Sequence, residues 1–394
     1  MRRMLKLLPI RFLSAALIYL VAGITLGTLD ALGYGSFKSV HSHLLAGAFF
    51  TLVIMGSMYQ LLPTIIGAEL KHRSLAEFQF ILANLGFISL AYSFLSNYSF
   101  LKVAGLIAFI SFILFAFEIF ATALSVKDFY RRSLAIWFFL AAVVYLVVGS
   151  AYALAGVLGI TSFSAARHAH ILTLGFVAMT NFGGLYELFP MLSLKKLHSR
   201  RLGEVHFFIA NIAAIGMFLG FPERGNLFIL SSLLFLAGFY LFAYNLTRTY
   251  FSKSHGPEVE MDISARFMAY ALAFGVAGVT AGFTSATLGF PGSFTHVHLI
   301  LTGWVGLTIV GAMYHIVPML TWLEKYSTKV GQEGVPLIQD LYNKPLAKAL
   351  FITLNTTLAL FAFSSLLPAL SIFAVPLAIA FLVFAVEMLL VLGR

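Results

Sequence analysis

The sequence predicts an all-α membrane protein of twelve transmembrane helices, arranged as three four-helix repeats about a pseudo-threefold axis. Three observations predict it. The 394 residues are 60% apolar and 10% charged, with a mean hydropathy of +0.96, whereas soluble chains carry about 25% charged residues. Apolar stretches of about 20 residues, long enough to cross a bilayer, recur along the whole chain without strand-like alternation. One motif recurs three times, as VHSHLLAGAFFTLVIMGSMYQLLPTI, RHAHILTLGFVAMTNFGGLYELFPML and THVHLILTGWVGLTIVGAMYHIVPML.

Taken in order, the spans are predicted at about 12–34, 41–65, 76–97, 101–124, 133–157, 167–192, 204–221, 226–248, 266–288, 295–320, 346–368 and 370–392. Two longer polar connections, about 249–265 and 321–345, interrupt them, and no soluble domain is expected. The chain thus reads as one integral membrane domain over 1–394, with repeats of approximately 1–127, 128–255 and 256–394. The basic start MRRMLKLLPIR runs straight into an apolar span with no A-x-A-like site, so no cleaved signal peptide is expected. Zero Cys excludes disulfides, thiolate metal sites, iron–sulfur clusters and CxxCH haem attachment.

The net charge of +10 is a topology signal rather than a nucleic-acid signal. Loops on the N-terminal side hold 21 Lys and Arg and the other side holds 4: Lys38, Lys102, Arg167 and Arg224. The positive-inside rule then places both termini in the cytoplasm of a multi-pass plasma-membrane protein.

Each motif opens with His-x-His: His41 and His43, His168 and His170, His296 and His298. The copies start 127 and then 128 residues apart. Each has Gly at +15 (Gly56, Gly183, Gly311), Tyr at +18 (Tyr59, Tyr186, Tyr314) and Pro at +22 (Pro63, Pro190, Pro318). Four matched positions at near-constant spacing indicate an internal triplication. The motif helix is the second of each repeat. Its histidines fall towards the outer face and its proline near the inner face.

Residues i and i+2 on a helix lie about 200° apart. A His-x-His pair therefore serves two neighbouring sites rather than chelating one metal. Histidine inside a span is costly and marks a functional site by default. Haem iron is the natural partner, because imidazole is a good axial ligand and an apolar bundle suits a large macrocycle. The plain alternative is six interfacial histidines that cap helices.

The third copy resembles helix X of subunit I of the haem–copper oxidases, most closely the cytochrome-c-oxidising C family, in its stretch HVH…GWVG…GAMYHIVP. The first copy resembles helix II of that family, closing on PTIIGA from Pro63 to Ala68. The resemblance implies an oxidase subunit I-like fold, with the first His of helix X on a high-spin haem and the second on a low-spin haem. Combined with the repeat, it implies that His41 and His298 form a bis-His haem b site. His170 and His296 would form a second, and His43 and His168 would face a third gap. One or two haems b follow, with copper as a further candidate cofactor.

The chain also departs from that family. Helix 7 has one His, His206, and no His-His pair, and position 174, where the family carries a Tyr, is Leu174. The full copper ligand set is lacking. The chain is also similar to the NnrS family of haem- and copper-containing membrane proteins linked to nitric-oxide stress.

The resemblance implies respiratory electron transfer or nitric-oxide handling. A quinol or cytochrome donor, other respiratory subunits and the lipid bilayer would be partners, and nucleic acid would not. An oxygen or nitric-oxide reductase with a divergent metal site is one alternative. A copper or other metal transporter using the outer-side histidines is another.

Further residues carry weaker signals. Gln60, Glu187 and His315, at +19, are candidate steps of a proton or quinone path, or headgroup-facing side chains. Glu118 and Glu387 are carboxylates within spans, expected to be protonated or paired. Arg167 is a candidate haem-propionate partner or an interfacial anchor. The +15 glycines serve either helix packing or a macrocycle.

Overall fold

The computed structural model describes residues 7–252 and 261–394. The basic N-terminal hexapeptide and most of the predicted polar connection 249–265 lie outside the described residues. Twelve long helices are present among them, and no strand. They are α1 (Leu7–Ala31), α2 (Lys38–Ile66), α3 (Arg73–Leu95), α4 (Leu101–Leu124), α5 (Leu134–Val157) and α6 (Ala165–Leu192). Then follow α7 (Arg200–Gly220), α8 (Asn226–Tyr250), α9 (Ile263–Leu288), α10 (Ser293–Lys325), α11 (Lys344–Phe361) and α12 (Ala374–Gly393). Eleven are long and apolar enough to cross a membrane. The remaining one, α11, is an 18-residue helix whose hydropathy is lowered by Lys344, Lys348 and Asn355. The protein is a multi-pass membrane protein.

Most boundaries follow from local chemistry. Ser133, Ser164, Ser199 and Asn343 cap α5, α6, α7 and α11, accepting from the backbone N–H of Ala135, Arg167, Leu202 and Leu346 at 3.1–3.3 Å. Caps explain several corrections to the predicted spans. Helix α7 begins at Arg200 rather than 204, because Ser199 supplies the cap. Helix α1 ends at Ala31 rather than 34, where Gly33 and Gly35 take positive φ of 82° and 152°. Helix α10 continues to Lys325, past the predicted 320. Helix α11 stops at Phe361 rather than 368, and Pro368–Phe373 form a 3-10 turn instead of the first turn of α12. Pro63, Pro190 and Pro318 all lie inside helices.

The chain groups into two compact units. The first takes 1–57, 261–278 and 291–394, and so contains α1, the histidine half of α2, the start of α9, and α10 to α12. The second takes 58–260 and 279–290, and so contains α3 to α8 with the ends of α2 and α9.

All three motif helices change winding at the same place. Their α-helical first turns give way to π-helix over His43–Phe49, Ile171–Ala178 and His298–Gly306. Each π segment starts at, or directly after, the second histidine. Such segments are rare and frequently mark functional sites.

The +15 glycines resolve as helix-packing positions. A Cβ on Gly56 would meet Phe12 Cβ at 2.7 Å, one on Gly183 would meet Phe138 Cβ at 2.9 Å, and one on Gly311 would meet the Ser264 carbonyl oxygen at 2.7 Å. In each case the opposing residue belongs to the helix that precedes the motif helix.

Candidate cofactor site

The six motif histidines share one arrangement. Each is half-buried, and each has its Nδ1 at a backbone carbonyl. For the first histidine of each pair the carbonyl lies on the preceding helix. His41 Nδ1 is 2.8 Å from Gly23 O, His168 Nδ1 is 3.4 Å from Gly149 O, and His296 Nδ1 is 2.8 Å from Gly278 O. For the second histidine the carbonyl lies four residues back on its own helix. His43 meets Ser39 O at 2.8 Å, His170 meets Ala166 O at 2.7 Å, and His298 meets Phe294 O at 3.0 Å.

A carbonyl oxygen accepts only, so Nδ1 carries the proton and donates it. The lone pair of the neutral ring is then on Nε2. A backbone carbonyl on Nδ1 is the usual way in which a protein sets tautomer and ring orientation in a metal-ligating histidine.

In the first unit, His41 and His298 line one cavity. Its other walls are mostly apolar, including Leu20, Ile24, Leu45, Phe49, Phe361 and Phe381. Gly27 of α1 is also in the wall, and its Cα lies directly against the His41 ring, so a Cβ there would overlap Cε1 and Nδ1. The His298 ring is held by Phe294 (centroids 4.0 Å apart, 32°) and by the edge of Phe361 (5.1 Å, 88°).

His296 is turned towards α9 through its Gly278 bond. In the second unit His170 packs on Phe221 (4.7 Å) and His168 on Phe163 (5.9 Å). Arg167 is held by the Phe218 carbonyl (2.8 Å), with its guanidinium over the rings of Phe218 (4.5 Å) and Tyr152 (5.3 Å). Among the described residues no group of three or more His, Asp or Glu side chains is gathered for a metal ion.

The acceptor glycines escaped the sequence reading. Gly23, Gly149 and Gly278 precede the first histidine of their motifs by 18, 19 and 18 residues. That recurrence was the available signal. Their missing side chains also make room for Leu45, Leu172 and Ile300, the nearest atoms to a Cβ built there, at 2.6, 2.6 and 2.8 Å.

The other ends of the motif helices carry a second set of matched contacts. The Tyr59 hydroxyl donates to Gln79 Oε1 (3.2 Å), the Tyr186 hydroxyl pairs with His206 Nδ1 (3.1 Å), and the Tyr314 hydroxyl donates to Glu387 Oε2 (2.7 Å). Glu118 is fully buried and paired. It accepts from the His72 backbone N–H (2.8 Å), His72 Nδ1 (3.1 Å) and Thr122 Oγ1 (3.0 Å). Asn245 likewise takes the Ser199 N–H (3.0 Å), and Glu387 the Asn343 N–H (2.9 Å). These groups anchor the starts of α3, α7 and α11.

At +19, Glu187 accepts from the Ser133 hydroxyl. His206 is wholly buried among Phe138, Phe182 and Phe242, and its Nε2 has no hydrogen-bond partner.

No family model matches the chain. An uncharacterised protein of Aquifex aeolicus (strain VF5) is 27% identical over 284 residues, which is 71% of either chain. Among solved structures, a heme-copper terminal oxidase dimer matches with a TM-score of 0.74 and 13% identity. The match covers 99% of this chain and 83% of that one. The protein therefore has the all-helical membrane fold seen in a haem–copper terminal oxidase.

Proposed function

We propose that the protein is a haem b-binding membrane protein that carries electrons or handles a small diatomic ligand such as nitric oxide. The observation that carries this reading is the pairing of His41 and His298 on one apolar cavity, each with Nδ1 donated to a backbone carbonyl. The residues fit the group. His41 and His298 would hold the iron through Nε2, the mostly apolar walls suit an apolar macrocycle, and Gly27 leaves room for the His41 ring. Bound there, a bis-imidazole haem would supply reversible one-electron chemistry.

The protein's own contribution is orientation and exclusion of water. The Gly23 carbonyl holds His41, and Phe294 and Phe361 fix the plane of His298. The recurring histidine–carbonyl bonds, π segments and tyrosine contacts support the three-repeat arrangement. On the sequence pattern, the termini are cytoplasmic, and a quinol or cytochrome is the donor.

Reduced-minus-oxidised spectra and pyridine haemochrome quantitation of the purified protein test the reading. One or two haems b per chain are expected, with loss of the bis-His spectrum in His298→Ala. A protein that takes up no haem under loading conditions refutes it, and stoichiometric copper without haem would favour metal transport. Carbon monoxide binding to the reduced form separates an open haem site from a purely bis-His one.

A further inference from the structure

At the proline end of the first unit lies a second cavity, walled by Asp262, Tyr314, His315, Trp322, Gln339 and Tyr342. Three of these side chains are aromatic, one is a carboxylate, and no Lys or Arg among the described residues lines the cavity. We propose that this cavity binds the primary ammonium group of a small organic amine.

The wall offers acceptors where an ammonium has donors. Asp262 accepts the Ser264 N–H through Oδ1 (2.8 Å), and as a carboxylate it has further acceptor sites. The neutral form of the His315 imidazole has one ring-nitrogen lone pair, and Gln339 has an amide oxygen. A primary ammonium carries three N–H donors, which match these three acceptors in number, and its charge matches the carboxylate. The aromatic side chains supply the rest of the wall. The Trp322 indole N–H is spent on the Pro336 carbonyl (2.7 Å), and the Tyr314 hydroxyl proton on Glu387 (2.7 Å). What Trp322 gives the cavity is therefore its ring, and a cation near an aromatic face is attracted by the ring quadrupole.

The surrounding charges point the same way. Burial, together with the nearby carboxylates Asp262, Glu387 and Asp340, pushes the Tyr342 hydroxyl up to about 12, so this phenol stays neutral in a negative field. Lys344 is engaged with Asp340 at 2.8 Å. Arg266, one turn beyond Asp262, donates to the Met261 carbonyl (2.9 Å) and does not line the cavity. An anionic ligand would face carboxylates with no cation to receive it. A divalent metal ion would meet Asp262 and His315 without a third His, Asp or Glu among the described residues.

The location suits a ligand that arrives from water. Asp262 directly precedes the first residue of α9, and α10 ends at Lys325, three residues past Trp322, so the cavity lies at the boundary between apolar and polar chain. Along α10, His315 lies 17 residues beyond His298, a rise of about 25 Å. The site is thus distinct from the histidine cavity, and the proposal does not rest on the haem reading.

The test is equilibrium dialysis of the full chain in non-ionic detergent with labelled butylamine. Saturable binding of one amine per chain is expected. It should weaken about 10-fold or more in Asp262→Asn, which removes a hydrogen bond between charged partners while keeping a side chain that caps a helix as well as Asp does. Trp322→Leu should weaken it about 3-fold or more by removing the ring. Thermal melts check that each variant folds, and if Trp322→Leu does not, Asp262→Asn and the competition series still decide. Tetramethylammonium has the charge without N–H donors and butanol lacks the charge, so both should compete about 10-fold or more weakly than unlabelled butylamine. Non-saturable binding, unchanged affinity in Asp262→Asn, or competition by tetramethylammonium, butanol or zinc ion equal to that of butylamine would each overturn the proposal.

Discussion

Replacing Gly27 by Ala tests the His41 geometry without touching a proposed ligand. The new Cβ would overlap Cε1 and Nδ1 of the His41 ring, far inside van der Waals contact. The ring must rotate or the helices must part. Rotation breaks the 2.8 Å bond from Nδ1 to the Gly23 carbonyl, which is worth about 0.5–1.5 kcal/mol, and it re-aims Nε2. Loss of such orienting contacts costs metal ligands about 10- to 100-fold in affinity, or about 1.4–2.8 kcal/mol. Stability should change less, because the ring faces a cavity and can swing into it. Gly184→Ala is the control: nothing lies within 4 Å of a Cβ there, and an Ala in that helix should be neutral or slightly stabilising. The assay is haem titration of apoprotein followed at the Soret band. The expected result is weakened uptake in Gly27→Ala and unchanged uptake in Gly184→Ala. Parent-like affinity and spectrum in Gly27→Ala would refute the assigned role of His41.

Two further predictions concern the anchors of the helices. Glu118→Ala leaves the His72 N–H without its acceptor and should lower stability by about 1–3 kcal/mol, read from thermal melts in detergent. Glu118→Asn should recover part of that loss, because Asn245 makes the corresponding contact to Ser199. Asp340 is held below the ordinary carboxylate range by its hydrogen bonds to the Lys344 ammonium and the Leu337 N–H. Its folded pKa is depressed, so its contribution is present above the unfolded value of about 3.9 and is lost as pH falls through the folded value. Limited acid-protease cleavage within 326–343 should therefore rise over that fall, and Asp340→Asn should cleave at the same rate throughout.

Much of the helical architecture was legible because a bilayer imposes it. A span needs about 20 apolar residues, so hydropathy located every long helix, and three copies of His-x-His marked where chemistry would gather. The ends were less legible. The predicted start of α7 missed the Ser199 cap, and the predicted end of α11 ran past Phe361 towards Pro368, because both choices depend on single local hydrogen bonds or their loss.

The roles of polar residues were least legible. Glu118 was expected to be protonated or paired, but the sequence named no partner. Its partner, the His72 N–H, lies 46 residues away in sequence. The +15 glycines allowed either a macrocycle or a helix as neighbour, and the opposing Phe12, Phe138 and Ser264 decide for helices.

The histidine motif marks the same division. By itself the sequence determined which six imidazoles stand at matched positions, since spacing along a helix sets which face a residue occupies. The orientation of each ring was decided only by tertiary structure. The carbonyls of Gly23, Gly149 and Gly278 belong to other helices. The π turns that follow each pair depend on the packing around them. A side chain carries its chemistry with it, but the nitrogen it presents is set by the group that holds the other one.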